Sequence, residues 1–480
     1  MDTVKRGHAM VIIDRESGKT LYEQIYEQIR DQILSGRIRE NSLLPSTRNL
    51  AKTLELSRNT VENAYQQLLS EGYISSKACS GYRAEKIESG TFGKKSIRDE
   101  SDYRLVLNDF NEQGRKEANK IQFQYGRLRS TEFPQSIFRK LINKILLSSE
   151  IELLSSYNDR RGEADLRMEI IKYISESRDV KCSPNQVIVC AGTLSCISLL
   201  SQMLMKLNSR IAMEEPGYDS VRHSFSNHGL EIIPVQINQD GIDLEELEKT
   251  SAGAVYVTPS HQFPTGAVLP VKKRFELIDW ADRNDAYIIE DDYDSELRYS
   301  SRPIPSLQSM DSKGRVIYIN TFSKSFAPGM RLSFMLLPES LVEKYQIMFK
   351  RYNCSAPLLE QKLMCAFMKE GYWNRHLRRI SVLNKKRHDA LVSAIMDTFG
   401  DKVSIRGKNA GLHIILEVHN GLKEAELIDK AAAAGVAVYP VSIYYADARN
   451  CPPNEVLIGF SSLTEAEIIT GIQLLKKAWF

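Results

Sequence analysis

Ile317-Tyr-Ile-Asn-Thr-Phe-Ser-Lys-Ser-Phe-Ala-Pro-Gly-Met-Arg-Leu-Ser-Phe334 decides how the rest of the chain is read. Val316 to Ile319 is an apolar run of strand length that ends in a polar turn. Thr321, Ser323 and Lys324 stand on that turn, Pro328 and Gly329 break the chain, Arg331 follows, and a second apolar run, Leu332 to Leu337, resumes. This order predicts hydroxyls, one amine and one guanidinium at the mouth of a sheet. Two hydroxyls and an arginine suit a phosphate, and a lysine suits a carbonyl carbon. Pyridoxal phosphate carries both groups. A Ser-Lys pair standing alone would read as a solvated loop, but a second segment stands beside it.

That segment is Ala286-Tyr-Ile-Ile-Glu-Asp-Asp-Tyr-Asp-Ser-Glu296. Tyr287 to Ile289 reads as a short buried strand, with Glu290, Asp291, Asp292 and Asp294 crowded at its carboxyl end. Ligands of open α/β sheets sit at the carboxyl ends of strands. A carboxylate there can hold a pyridine nitrogen protonated, which makes the ring an electron sink. Tyr293 is placed to hydrogen-bond the ring hydroxyl. The cluster has no histidine or cysteine to support zinc, while magnesium stays open.

At the amino-terminal end, apolar residues at 21, 22, 25, 26, 29, 33 and 34 form a helical stripe, closed by Gly36. Ser46 caps a helix from Thr47 to Leu54, and Ser57 caps another from Arg58 to Ser70. Tyr73-Ile74 and Gly81-Tyr-Arg83 read as a small hairpin. Three helices and a hairpin make a winged helix-turn-helix over residues 1–85. Arg58, Asn59 and Thr60 open its third helix, the part that reads base edges, while Arg48 and Lys77 suit phosphates.

The chain has 480 residues, 42% hydrophobic and 26% charged, with a net charge of +3. The length allows more than one domain, and any nucleic-acid site has to be a local basic patch. No apolar run is long enough to span a bilayer, and Met-Asp-Thr-Val-Lys-Arg lacks the apolar core of a signal peptide. Seven cysteines without a Cys-x-x-Cys pair predict reduced thiols in a cytoplasm. Residues 86–118 have linker composition, with a short docked strand expected at Leu105-Val-Leu. From 119 to 480 strands alternate with helices, which predicts an α/β domain with a mostly parallel sheet and a smaller C-terminal α/β subdomain. Val436 to Tyr439 is read there as one strand. Gly192-Thr193 opens a helix after the strand Gln186 to Cys190, a ready anion site.

These two segments, together with Thr258-Pro-Ser-His-Gln-Phe-Pro-Thr-Gly266, resemble fold-type I pyridoxal-phosphate enzymes of the aspartate aminotransferase class. Their wording, with Leu44-Pro-Ser-Thr-Arg-Asn-Leu-Ala-Lys-Thr-Leu54, is similar to the MocR/GabR-type regulators, which join a GntR-type winged helix to such a domain. The resemblance covers most of the chain. It implies pyridoxal 5′-phosphate as cofactor on Lys324, its phosphate held by Gly192, Thr193, Leu194, Thr321, Ser323 and Arg331. It also implies Tyr218 stacked on the ring and a glycine-bearing segment, Tyr157 to Gly162, lining the site.

The chain departs from the aminotransferase pattern at three places. Phe263 stands where those enzymes carry asparagine, so His261 or Gln262 is expected to supply the polar contact. No arginine precedes Gly459-Phe460, and Arg449 is the nearest candidate to replace it. Asp219-Ser220 follow Tyr218 where GABA-responsive relatives carry an arginine. Two functions follow. One is a DNA-binding regulator whose cofactor domain senses an amine, an amino acid or pyridoxal phosphate itself. The alternative is an active aminotransferase with an appended module. The resemblance further implies a homodimer, arranged head to tail, on a double-stranded operator.

Overall fold

The computed structural model of the protein describes residues 11–77, 81–87, 121–148, 152, 155–299 and 305–480. Most of the linker and the strand expected at Leu105-Val-Leu lie outside the described residues. The chain divides into two compact units, Met1–Gln113 and Gly114–Phe480.

In the first unit, α1 (Leu21–Leu34), α2 (Thr47–Leu54) and α3 (Arg58–Ser70) precede a hairpin of β1 (Ile74–Lys77) and β2 (Gly81–Ala84). Four-residue spacing puts Ile25, Ile29 and Ile33 on one face of α1, where they bury with Val61, Ala64, Tyr65 and Leu68 of α3. Ser46 Oγ accepts from the Asn49 amide at 3.2 Å, and Ser57 Oγ from the Thr60 amide at 3.1 Å. Each cap contributes about 1 kcal/mol. The buried Tyr65 ties the unit together. Its hydroxyl donates to the Pro45 carbonyl at 2.9 Å, and its ring meets Tyr82 of β2 edge-on at 5.0 Å.

The second unit is built on an eight-stranded sheet. Its strands are β4 (Val187–Cys190), β5 (Arg210–Glu215), β6 (Glu231–Asn238), β7 (Gly241–Ile242), β8 (Ala254–Val257), β9 (Tyr287–Asp291), β10 (Val316–Thr321) and β11 (Ser333–Leu336). The spatial order is β4-β11-β10-β9-β8-β5-β6-β7. The five strands from β10 to β6 run parallel, β11 runs against β10 and β4, and β7 runs against β6. Strand side chains alternate with period two. Ile188, Ile317, Ile319 and Met335 therefore pack with the helix Thr193–Leu204 on one face. Val187, Val189, Tyr318 and Phe334 pack with the helices Ala164–Arg178 and Leu358–Lys369 on the other. Parallel pairing aligns Ile319 with Asp291, so β9 and β10 end side by side.

A four-stranded antiparallel sheet forms the smaller subdomain, in the order β12 (Val403–Arg406), β13 (His413–Val418), β16 (Glu455–Gly459), β15 (Tyr439–Pro440). The strand expected from Val436 to Tyr439 is split. β14 (Val436–Ala437) pairs in parallel with β3 (Ile121–Gln122), while β15 turns to β16. The split lets the chain entering this unit dock on one side while the other half completes the sheet. Among the described residues, no helix is long and apolar enough to cross a membrane.

Candidate functional site

The acidic cluster at the end of β9 is divided by the strand's own pleat. Glu290 accepts from the Leu307 and Gln308 amides at 2.8 and 3.0 Å, capping a short helix. Asp292 makes a buried two-pronged pair with Arg178, at 2.7 and 3.1 Å, and accepts from the Tyr318 hydroxyl. Asp291, between them, points the other way, into a cavity of about 170 Å³. The Tyr256 hydroxyl donates to its Oδ2 at 2.5 Å, while its Oδ1 is buried with no partner among the described residues. Burial pushes this carboxyl up to about 7, against the opposing bond from Tyr256.

Lys324 enters the same cavity from the turn after β10. Its Nζ lies 4.1 Å from the centre of the Tyr125 ring. Burial lowers the amine to about 8, with Asp294 and Asp291 pulling the other way. An amine brought down to this range is free to act as a nucleophile near neutral pH. Gly126 makes room for it, because a Cβ there would come within 2.9 Å of Nζ.

The other end of the cavity is suited to an anion. Gly192, at φ +88°, precedes the twelve-residue helix Thr193–Leu204, and Thr193 and Leu194 line the cavity. The first amides of a helix point outward and favour negative charge. The Arg331 guanidinium lies so close that a Cβ on Gly192 would meet its Nη2 at 2.3 Å. Thr321 and Ser323 complete this end, with the Thr321 hydroxyl accepting from Ser333 Oγ at 2.7 Å and the Ser323 amide at 3.2 Å.

Tyr125, Tyr218, Phe263 and Tyr293 form the cavity's aromatic wall. Phe263, standing where a polar residue is usual, packs on Tyr125, Tyr218 and Tyr444 with ring centres 4.8 to 5.5 Å apart. Neither His261 nor Gln262 lines the cavity. Gln262 donates to the Pro216 and Phe263 carbonyls, and His261 stands behind Tyr293, its Nδ1 3.0 Å from the hydroxyl. The expectation of a direct polar contact from these two is corrected accordingly: the chain turns both side chains away from the cavity to satisfy buried backbone and the Asp294 carboxylate.

The structure thus brings Thr193, Leu194, Tyr218, Asp291, Tyr293, Thr321, Ser323, Lys324 and Arg331 around one cavity, with Gly192 behind Arg331. Tyr125, Gly126, Tyr256 and Thr258 were missed by the sequence reading. Gly162 is elsewhere, closely packed on Val189. Arg449 is 89% exposed and paired with Asp447, away from the cavity. In the first unit, Arg48, Arg58 and Asn59 are exposed, Thr60 is half-buried beside Ser57, and Arg58 Nε lies 3.5 Å from Glu62. Lys77 ends β1, and its side chain lies outside the described residues.

Comparison with known proteins agrees with this division. Residues 123–473 match the class I and II aminotransferases, and residues 21–83 match the gntR family of bacterial regulatory proteins. The chain is 38% identical to the uncharacterized HTH-type transcriptional regulator YdeL of Bacillus subtilis, over 96% of both chains. It is 31% identical to the probable rhizopine catabolism regulatory protein MocR of Rhizobium meliloti, over 98% of this chain and 96% of that one. Among solved structures, the kynurenine aminotransferase of Pyrococcus horikoshii superposes with a TM-score of 0.68 at 23% identity, over 81% of this chain and 96% of that one. A class I and II aminotransferase domain implies pyridoxal 5′-phosphate, and the cavity fits it: a buried acceptor for a ring N–H, an amine for a carbonyl, and a helix terminus with a guanidinium for a phosphate. The chain belongs to the MocR-type regulators, in which a GntR-family winged helix is joined to a class I and II aminotransferase domain.

Proposed function

We propose that this protein is a DNA-binding transcriptional regulator whose cofactor domain reports the presence of an amine, an amino acid or pyridoxal phosphate itself. The observation that carries the reading is one cavity lined by both a nitrogen nucleophile, Lys324, and Asp291, whose buried Oδ1 has no donor among the described residues. We place the winged helix at 1–85, the linker at 86–118 and the effector domain at 119–480.

In this reading Lys324 holds the cofactor covalently. Asp291 accepts from the ring nitrogen and keeps its proton in place. Tyr293 faces the ring oxygen, and Tyr218 lies against the ring. Gly192, Thr193, Leu194, Thr321, Ser323 and Arg331 hold the phosphate. When bound, the cofactor supplies a carbonyl carbon that exchanges one primary amine for another and a ring that draws electrons from it. The aromatic wall excludes water and keeps Lys324 ready to give up and take back a proton. A ligand alters DNA binding only through different affinities for two arrangements of the protein.

Arg58, Asn59 and Thr60 are assigned to base edges, and Arg48 and Lys77 to phosphates. A cytoplasmic homodimer, head to tail, would present two readers to two half-sites, each raising the effective concentration of the other. The retained Lys324, Asp291 and Tyr293 also favour a second reading, an aminotransferase carrying a winged helix. The test adds amines and amino acids one at a time to the cofactor-loaded protein, following visible absorbance, operator binding and keto-acid formation together. The regulator reading expects a compound that moves absorbance and operator affinity together. Sustained keto-acid turnover with unchanged operator affinity would favour the enzyme.

A further inference from the structure

Behind the cavity wall stands a pair of residues that the functions above do not use. His261 and Asp294 are each about 2% exposed, and Nδ1 of the histidine lies 2.8 Å from Oδ2 of the aspartate. An ionised carboxylate only accepts, so the proton of this contact sits on Nδ1. The same nitrogen lies 3.0 Å from the Tyr293 hydroxyl, which donates at 2.9 Å to the His261 carbonyl. Nε2 has no partner among the described residues, which leaves Nδ1 as the ring's one bonded edge.

The backbone is shaped around this pair. Gly411 and Gly266 both have positive φ, and both approach the imidazole. A Cβ on Gly411 would come within 2.2 Å of His261 Cε1 and 2.8 Å of Asp294 Oδ2, and one on Gly266 within 3.0 Å of Nε2. His413 borders the imidazole, ring centres 5.4 Å apart, and its Nε2 donates to the Pro264 carbonyl at 2.9 Å. Burial holds His413 down at about 3, so it stays neutral.

We propose that Asp294 and His261 are positioning residues for the cofactor. Together they fix the Tyr293 hydroxyl on the cavity wall and hold a second buried carboxylate, beside that of Asp291, where its charge stabilises a cationic nitrogen at Lys324. The inference rests on the cofactor assignment made above. The Lys324 amine shares the cavity with Asp291 and Arg331 and lies over the Tyr125 ring; of the charged groups around it, Asp294 and Asp291 favour its charged form and Arg331 opposes it. The imidazole's part is to give the buried Asp294 carboxylate its hydrogen-bond donor, at 2.8 Å. A buried carboxylate deprived of its donor takes up a proton instead of remaining charged.

The test titrates the visible absorbance of the full-length, cofactor-loaded protein from about pH 5 to about pH 10, a span that covers the ordinary histidine and lysine ranges. Asp294→Asn should lower the midpoint for proton loss at the Lys324 nitrogen by about one unit, a tenfold loss of proton affinity. His261→Leu should lower it in the same direction. His261→Asn, whose amide nitrogen stands in for Nδ1, should stay near the wild type. Borohydride trapping and circular dichroism show that each variant is loaded and folded. A midpoint unmoved in folded Asp294→Asn overturns the proposal, and that variant alone decides if His261→Leu does not fold. A wild-type protein without a visible band or a trapped adduct would instead refute the cofactor reading on which the proposal rests.

Discussion

The Tyr256 hydroxyl donates to Asp291 Oδ2 at 2.5 Å and leaves Oδ1 of the same cavity-lining carboxylate without a partner among the described residues. Tyr256 comes from β8 and Asp291 from the end of β9, and the parallel pairing of those strands sets them together. One oxygen is thus held by the protein and the other left for a ligand. Tyr256→Phe should weaken cofactor binding by about ten- to a hundredfold, since a hydrogen bond to a charged group contributes about 1.5–3 kcal/mol. Spectrophotometric titration with pyridoxal 5′-phosphate measures this, and an unchanged Kd would remove Tyr256 from the site.

The same carboxylate makes the cofactor-free protein pH-sensitive. Burial raises the Asp291 carboxyl from its ordinary range to about 7. A carboxyl raised in the folded state contributes stability below its unfolded value and loses it as pH rises through the folded one. Cofactor-free protein should therefore lose stability between about pH 4 and pH 7 on account of this group. Asp291→Asn should remove that share of the slope and be more stable than wild type at neutral pH by at least about 1 kcal/mol. It should also bind the cofactor poorly. Denaturant melts of both proteins across this range are the check, and parallel curves would contradict it.

Gly192 is constrained twice, by its left-handed backbone and by the Arg331 guanidinium. Gly192→Ala should cost about 1–2 kcal/mol of stability from backbone strain alone. It should weaken the affinity for inorganic phosphate and for the cofactor much more than that strain explains, because Arg331 has to move. Isothermal titration with phosphate distinguishes the two effects.

In the DNA-binding unit, Arg58→Ala should lose operator affinity by roughly 1–3 kcal/mol and leave random-sequence binding nearly intact. Arg48→Ala should weaken binding to every sequence and flatten its salt dependence. Equal losses on operator and random DNA for Arg58→Ala would end its assignment to a base edge.

Much of this site was legible because its groups stand on short segments with plain punctuation. Lys324, Ser323 and Thr321 follow an apolar strand, Asp291 and Tyr293 follow another, and adjacent parallel strands bring both ends together. The capped helices of the first unit were equally plain, since Ser46 and Ser57 each precede an apolar period. Tyr256 and Tyr125 were not legible. The first looks like a core residue of an apolar strand, and only the register across β8 and β9 turns it toward Asp291. The second comes from the chain just after β3, and tertiary packing alone sets it under Lys324. Arg449 failed for the converse reason: nearness in sequence to the expected position said nothing of direction, and its neighbour Asp447 holds it in solvent. The His261-Asp294 pair was half visible, as two polar residues in motif loops, but its geometry depends on glycines from two distant turns.

The central claim is that exchange at Lys324 governs DNA binding. Its most direct test measures operator affinity of wild type and Lys324→Ala, each with and without an amine that moves the wild-type absorbance. The account predicts that wild-type affinity shifts with the amine, while Lys324→Ala traps no adduct under borohydride and its affinity ignores the amine. An amine response preserved in Lys324→Ala, or a borohydride adduct unchanged in that variant, would contradict it.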